Sequence, residues 1–470
     1  MHKHRSNERT HEVEKFHSAA DPHTLAKAFL KAHGRDGCNH LLLRFWRNEF
    51  WRFRDGRYWR VSQQDLKAQL SQFIAVRFHE QKASSKEGQI FKVTTGLVND
   101  TFQALTGLTL VPAETEQPVW LGKHQEGPFF AFTNGLVSFG DDQNAFFLRE
   151  PRRHCSEWFT QTSFPYDYDA EATCPSWLYF LDEVLEGDAE RIRLIQQWFG
   201  YCLTPDTSQQ KFLVAIGEGG NGKSVVLDLL SAMLGVENVS HVPAEAFGER
   251  FQLTVTLGKL ANISYDTGAI RESAEATIKE FTAGDRMYFD RKGIPGVMAY
   301  PTARLILATN QDPRFVDRSK GIWRRMVVVP FTFEVPPERR DPHLATKLKM
   351  QLPGIFNWAA EGLRDLKRSG GFIVPAVCAD TLQQLRSDSN PAATFLKEHY
   401  EPVVGDSVSC SLVYEGYRGW SARSGLKSLD ITAFGKELRK LFPETERIRD
   451  TKGDRAYRYV GIRAIESQPA

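Results

Sequence analysis

Phe212-Leu213-Val214-Ala215-Ile216-Gly217-Glu218-Gly219-Gly220-Asn221-Gly222-Lys223-Ser224 is the stretch that decides the reading. An apolar run leads into GxxxxGK[ST]. Val226, Leu227, Leu230, Met233 and Leu234 then follow at helical spacing until Gly235, so the loop sits between a strand and a helix. The glycines let the backbone curl until successive N–H groups point at a phosphate, and the helix N-terminus adds positive potential. Gly217 to Ser224 with Val225 is the candidate nucleotide-binding set. Lys223 is expected to reach the outer phosphates of ATP and Ser224 to ligate Mg²⁺.

Downstream, Leu260 to Ile263, Leu305 to Ala308 and Val327 to Phe331 are further short apolar runs separated by helical stretches. Runs without alternation fit strands buried on both faces, which points to a parallel sheet in an α/β layer. Two of them end in candidate catalytic residues. Asp266 follows the first and is expected to hold the metal and polarise the attacking water, while Asn310 ends the second, placed to orient that water. Arg324 and Arg325 precede the third. They could snorkel or pair with an acid, or reach a neighbouring subunit's nucleotide as an arginine finger.

Working outward, residues 1–20 read as a polar, His-rich tail. Residues 21–175 read as an α+β domain with a hairpin about Asp55-Gly56 and further strands around Asn134-Gly135. Residues 176–375 hold a helical pair and the ATPase domain, and 376–391 read as a linker. Residues 392–470 read as three helices and a hairpin about Lys452-Gly453-Asp454, a winged-helix pattern. Its segment from Ile431 to Arg463 carries nine basic and five acidic residues. Lys436, Arg439, Arg447, Arg449 and Lys452 are the candidate duplex contacts. The fold class is therefore α/β and multidomain.

Composition sets the bounds. At a working size of about 150 residues per domain, 470 residues suggest roughly three domains. Lys and Arg number 60 against 58 Asp and Glu, so any hold on nucleic acid must come from local patches. Six scattered cysteines without CxxC spacing do not describe a disulfide-stapled secreted chain. No run of 18 apolar residues and no leader-like N-terminus is seen, so a soluble cytoplasmic protein without a membrane partner is expected. His33, Cys38 and His40, and His154-Cys155, match no standard zinc spacing. Asp167-x-Asp169 resembles a primase carboxylate pair but lies in a Tyr- and Pro-rich connector.

The order of short motifs resembles the superfamily 3 helicase module of phage and plasmid primase-helicases, related to the poxvirus helicase-primase ATPase. The residues carrying the likeness are Phe132-Thr133-Asn134-Gly135, Trp198-Phe199-Gly200-Tyr201, Gly219 to Ser224, Ile278-Lys279 with Gly284-Asp285, Ala308-Thr309-Asn310, Gly321 to Arg325, and Pro353 to Trp358. They cover roughly half the chain. The resemblance implies an AAA+-like motor in a ring, expected to be a hexamer, that hydrolyses ATP between subunits and moves along single-stranded DNA during replication of a mobile element. A primase could act in trans. It also implies a hairpin at Arg286 to Val297 with Arg291 and Lys292 facing DNA. Two neighbouring carboxylates are common at the second acidic motif, where this chain has Tyr265-Asp266. Either Asp266 serves both metal and water or Glu272 or Glu280 assists, and slow hydrolysis is the consequence. A P-loop phosphotransferase and a nucleotide-regulated initiator without processive unwinding are the rival readings.

Overall fold

The computed structural model describes residues 20–84, 92–122, 127–142, 145–268, 270–311, 313, 315, 320–426, 428–449 and 456–465. The chain divides into two compact units, one comprising residues 1–170 with 288–299 and the other residues 171–287 with 300–470.

In the first unit, helices Pro22–His33, Gln63–Ser84 and Thr95–Leu108 pack on an antiparallel sheet of Leu43–Trp46, Glu49–Arg54 and Arg57–Val61. Leu25, Phe29, Leu43, Phe50, Leu66, Leu70, Ile74 and Leu105 form its core. The expected Asp55-Gly56 turn has both residues at positive φ, which a two-residue hairpin with right-handed strand twist requires. Arg47 and Asn48 do the same one hairpin earlier. Strands Phe129–Phe132 and Gly135–Asp142 pair about Thr133-Asn134. The Asn134 amide donates to Tyr168 O (2.9 Å) and accepts from Tyr168 N (3.0 Å), and Thr133 Oγ1 donates to the Asp167 carboxylate. This motif therefore clamps the Tyr-rich connector, and Asp167 serves that clamp.

The second unit is built on a five-stranded sheet in the order Val239–Ser240, Ala261–Ser264, Arg304–Thr309, Phe212–Ile216, Met326–Pro330, with every neighbouring pair parallel. The three central strands are buried almost throughout, as their unbroken apolar sequences require. Helices Pro175–Val184 and Ala189–Tyr201 precede the sheet, and Leu352–Ser369 follows it. The last two cross at glycines. A Cβ on Gly200 would lie 2.2 Å from Leu363 N and one on Gly362 would lie 2.0 Å from Gln196 O, so the backbones meet where a side chain cannot fit. Trp358 fills the adjoining space edge-on to Trp177 and Phe199.

The stretch 376–391, read as a linker, is instead mostly a helix, Ala376–Ser389, with Cys378 and Leu385 buried. Beyond it, helix Pro391–His399, strand Tyr400–Ser409, helices Cys410–Arg423 and Ile431–Leu441, and strands Glu446–Arg449 and Tyr457–Ala464 enclose a core of Phe395, Leu396, Val413, Tyr417, Phe434, Leu438, Tyr459 and Ile462. Tyr457–Ala464 is the middle strand of an antiparallel three. Almost all of the expected polar tail, and the hairpin tip with Lys452, lie outside the described residues. Among those described, no helix is long and apolar enough to cross a membrane.

Candidate functional site

Parallel strands present their C-terminal ends along one edge, so Gly217, Asp266 and Asn310 emerge on the same side of the sheet. Gly217, Gly220 and Gly222 all have positive φ. A Cβ on Gly217 would lie 2.2 Å from Phe331 O, so this position admits glycine alone. Asn221 pins the loop, its amide donating to Phe331 O (3.0 Å) while its carbonyl oxygen accepts from Lys223 Nζ (3.1 Å). Lys223 opens helix Lys223–Leu234, and its ammonium donates to Gly217 O and Glu218 O (2.9 Å). Burial lowers its pKa, opposed by the charge of Asp266. Ser224 is exposed at the helix start.

A cavity of about 1000 Å³ opens beside the loop, lined by Gly219 to Val225 and by Asn310. Residues that sequence reading did not single out complete it. Tyr179, Phe180 and Leu344 supply apolar wall, and Arg339, Arg340 and Lys347 supply cations. These cations are tethered, Arg340 to Glu334 (3.3 Å), Arg339 to Glu183 (3.8 Å) and Lys347 to Asp341 (2.6 Å). Nothing in their sequence separates Arg339-Arg340 from an ordinary surface pair; only the fold carries them to the loop.

Asp266 is exposed with φ of 51° directly after its strand, held in place by Thr267 N donating to Ala308 O (3.1 Å). Its neighbour Tyr265 donates its hydroxyl to Asp228 (2.7 Å) on the Lys223–Leu234 helix. Burial and that carboxylate push the phenol pKa far up, so Tyr265 offers no second base. Glu272 and Glu280 lie exposed on helix Glu272–Ala283, whereas Glu245 accepts from Gly268 N (2.7 Å) and is the carboxylate that touches the Asp266 loop.

Arg324 and Arg325 do not line this cavity. Arg324 is exposed and lines a separate groove with Arg386, Asn390 and Lys397. Arg325 is half-buried, its Nη1 donating to Gly321 O (2.8 Å), with desolvation and Arg324 lowering its pKa and Asp285 opposing them.

Between strands Met287–Phe289 and Val297–Ala299, Lys292 is exposed but Arg291 is buried. Its guanidinium donates to Pro295 O (2.6 and 2.8 Å) and Arg47 O (2.9 Å) and pairs with Glu49 (3.2 Å). This corrects the expectation of a solvated basic tip. An arginine already holding its donors inside the first unit is not free to meet a phosphate.

In the C-terminal segment, Lys436, Arg439 and Lys440 are exposed on helix Ile431–Leu441, and every residue of strand Glu446–Arg449 is exposed. Arg447 and Arg449 stand 4.0 and 5.8 Å from the Tyr457 ring. Glu437 on the same helix is buried, bonded by Asn390 (3.1 Å) and Lys440 (2.9 Å).

Comparison with known proteins places two partial likenesses on this geometry. The family of unknown function DUF5906 matches residues 215–325, and the RFX DNA-binding domain matches residues 389–466. A protein of Acanthamoeba polyphaga mimivirus named as a helicase, L207/L206, is 23% identical over 247 residues, which is 47% of this chain and 25% of that protein. The mitochondrial protein ymf21 of Marchantia polymorpha is 32% identical over 68 residues, 14% of this chain and 38% of its own. The chain thus spans well under half the length of either relative. Among solved structures, the apo C-terminal region of NrS-1 superposes with a TM-score of 0.52 at 11% identity, covering 94% of this chain and 99% of that one. A second structure of that region, residues 305–718, gives 0.51 at 12% identity, covering 94% and 100%. At such identity the likeness is one of fold: α/β, multidomain, with a parallel sheet.

Proposed function

We propose that the chain is an ATP-driven motor acting on DNA in replication, an AAA+-like helicase of superfamily 3 type that works as a ring, expected to be a hexamer. One observation carries this reading: the glycine loop ends in Lys223 beside a large cavity, with Asn310 and Asp266 on the next two strand ends of the same sheet edge. The Asn310 strand lies between the loop strand and the acid strand, which leaves space for a water between a phosphate and a base.

The donor set suits the expected cofactors. Gly219 is open to approach and the Ser224 hydroxyl and Asp266 carboxylate are exposed hard oxygens, the chemistry Mg²⁺ takes. Bound there by Ser224 and Asp266, Mg²⁺ would neutralise charge on the phosphate oxygens. Lys223 exchanges its loop carbonyls for the outer phosphates. Asn310 orients the water and Asp266 polarises it; the water oxygen bonds to the γ-phosphorus as the bond to the β,γ-bridging oxygen breaks, so ADP leaves and the water's proton passes by way of Asp266 to solvent. Arg324 and Arg325 do not line this cavity, and the proposed role for them is at a neighbouring subunit's nucleotide.

For DNA, the order helix, strand, two helices and hairpin from Pro391 to Ala464 is that of a winged helix, supported by the RFX likeness. Lys436, Arg439, Arg447 and Arg449 are the proposed phosphate contacts, and Lys292 the proposed contact to the single strand. Changing those four C-terminal residues to Gln in the full chain is expected to flatten the log–log dependence of duplex affinity on salt by about three to four units, at about 0.9 per phosphate contact. An unchanged slope assigns DNA capture elsewhere.

Tyr265 in place of a second carboxylate favours one alternative, a nucleotide-regulated initiator that assembles on DNA without processive unwinding. Single-turnover ATP hydrolysis decides between them. A motor is expected to hydrolyse ATP faster when single-stranded DNA is added and to separate strands, whereas an initiator binds nucleotide, assembles and leaves duplex intact.

A further inference from the structure

The loop joining helix Pro22–His33 to strand Leu43–Trp46 gathers three metal-ligating side chains that sequence spacing did not predict to converge. One oxygen of Asp36, Cys38 Sγ and one ring nitrogen of His40 all lie within 4.8 Å of one another. The backbone explains the approach. Asp36 Oδ1 accepts from Cys38 N (2.9 Å) and His40 N (2.8 Å), and Asn39 turns the chain at φ of 68°, so residues 36, 38 and 40 project to one side. Asp36 Oδ2 is left facing His40 Nδ1 at 3.3 Å. Ligand atoms on a tetrahedral zinc, bound at about 2.0–2.3 Å, are themselves about 3.3–3.6 Å apart, so small side-chain rotations complete the set.

A second observation comes from a distant part of the chain. Glu157 Oε2 stands 3.9 Å from His40 Nε2, on the ring's other nitrogen. A metal-bound imidazole characteristically gives its far N–H to a carboxylate, which fixes tautomer and ring orientation. Asp36 is also held by Ser156 Oγ (3.2 Å), so the loop already rests against the segment that carries Glu157. Cys155, whose thiol burial pushes up, stands outside the set.

We propose that Asp36, Cys38 and His40 bind one Zn²⁺, through Asp36 Oδ2, Cys38 Sγ and His40 Nδ1, with Glu157 as a positioning residue on His40 Nε2 and water in the fourth place. Thiolate, imidazole and carboxylate together select zinc over Mg²⁺ or Ca²⁺. The Cys38 thiol proton leaves to solvent as the Zn–S bond forms. The bound ion fixes the loop after the first helix, and with it the approach of His40 to Glu157; because it binds the folded state it raises the unfolding midpoint.

The test uses the untagged full chain. His2, His4, His11 and His17 can also bind metal, so stoichiometry alone does not decide. Titration with Co²⁺ in place of Zn²⁺ is expected to give a thiolate-to-cobalt charge-transfer band that saturates at one equivalent and disappears on adding Zn²⁺. The band should vanish in Cys38→Ser, weaken at least tenfold in apparent affinity in His40→Gln, and weaken about tenfold to a hundredfold in Glu157→Gln. It should persist in Cys155→Ser and when the four N-terminal histidines are replaced. Circular dichroism checks that each variant folds, and His40→Gln and Glu157→Gln decide the matter if Cys38→Ser does not. A missing band, or one indifferent to His40 and Glu157, overturns the proposal and leaves the ATPase reading untouched.

Discussion

Replacing Lys223 with Ala is expected to bring ATP hydrolysis and strand separation down to background while the protein remains folded. In the structure the ammonium donates to Gly217 O, Glu218 O and the Asn221 side chain, all beside the open cavity. Lys223 and Asn221 are both buried, so truncation strips buried acceptors of their donor at a cost of about 1–3 kcal/mol, several degrees in the melting temperature and short of unfolding the chain. The catalytic loss is far larger because no other cation is set into the loop itself. Arg340 reaches Gly220 of the loop from outside, where a Cβ would lie 2.9 Å from its Nη2, but it is tethered to Glu334, as Arg339 is to Glu183 and Lys347 to Asp341. Phosphate release with and without single-stranded DNA, read beside a melting curve, checks both halves. Normal unwinding by a well-folded Lys223→Ala protein would sink the motor reading.

The five-stranded parallel sheet could be read from sequence because burial on both faces writes itself as unbroken apolar runs, and four of the five strands lay where such runs were. The fifth, Val239–Ser240, is two residues long and half polar, below the length at which a pattern exists. Strand Tyr400–Ser409 was hidden for another reason. Pro402, Gly405 and Asp406 break the alternation, and the structure accommodates them with a shift of register between Pro402 and Ser407. The turn at Arg47-Asn48 lacks the glycine that marks its twin at Asp55-Gly56, although both pairs adopt positive φ.

The site divides along the same line. A glycine loop followed by lysine is a local signal, because the chemistry needs those residues adjacent in the chain. Arg291 shows the opposite case: its Arg-Lys-Gly context resembles a solvated tip, yet Glu49, 242 residues away, takes it inside. Arg339, Arg340 and Lys347 are likewise made relevant only by the fold, which brings them to the cavity wall from beyond the last strand of the sheet. Asp36, Cys38 and His40 are brought together by a local turn, whereas Glu157 reaches His40 only through the fold. Sequence reading therefore reaches candidate sites built on one segment and misses those assembled from several.

Arg325→Ala is expected to leave ATP binding within a few-fold and to cut hydrolysis by roughly 10³, the effect of removing a transition-state arginine. The argument rests on where the side chain is. It does not line the cavity beside the glycine loop of its own chain, and its one described acceptor is Gly321 O, while Asp285 nearby offsets part of the cost of burying its charge. A guanidinium held this lightly can turn toward a γ-phosphate on an adjacent copy without breaking a network. Arg324 is the competing candidate, since it is exposed and adjacent, but it lines a groove of its own chain with Arg386, Lys397 and Glu398. Mixing experiments separate a finger from a structural arginine. Rings combining Arg325→Ala subunits with Lys223→Ala subunits should recover activity, because some interfaces then pair an intact loop with an intact arginine. Loss of folding in Arg325→Ala would show in its melting curve, and Arg325→Lys, which keeps the charge but not the fork of donors, should remain impaired. Full-rate hydrolysis by monomeric protein, together with a silent Arg325→Ala, would move the finger elsewhere and make Arg324→Ala the deciding variant.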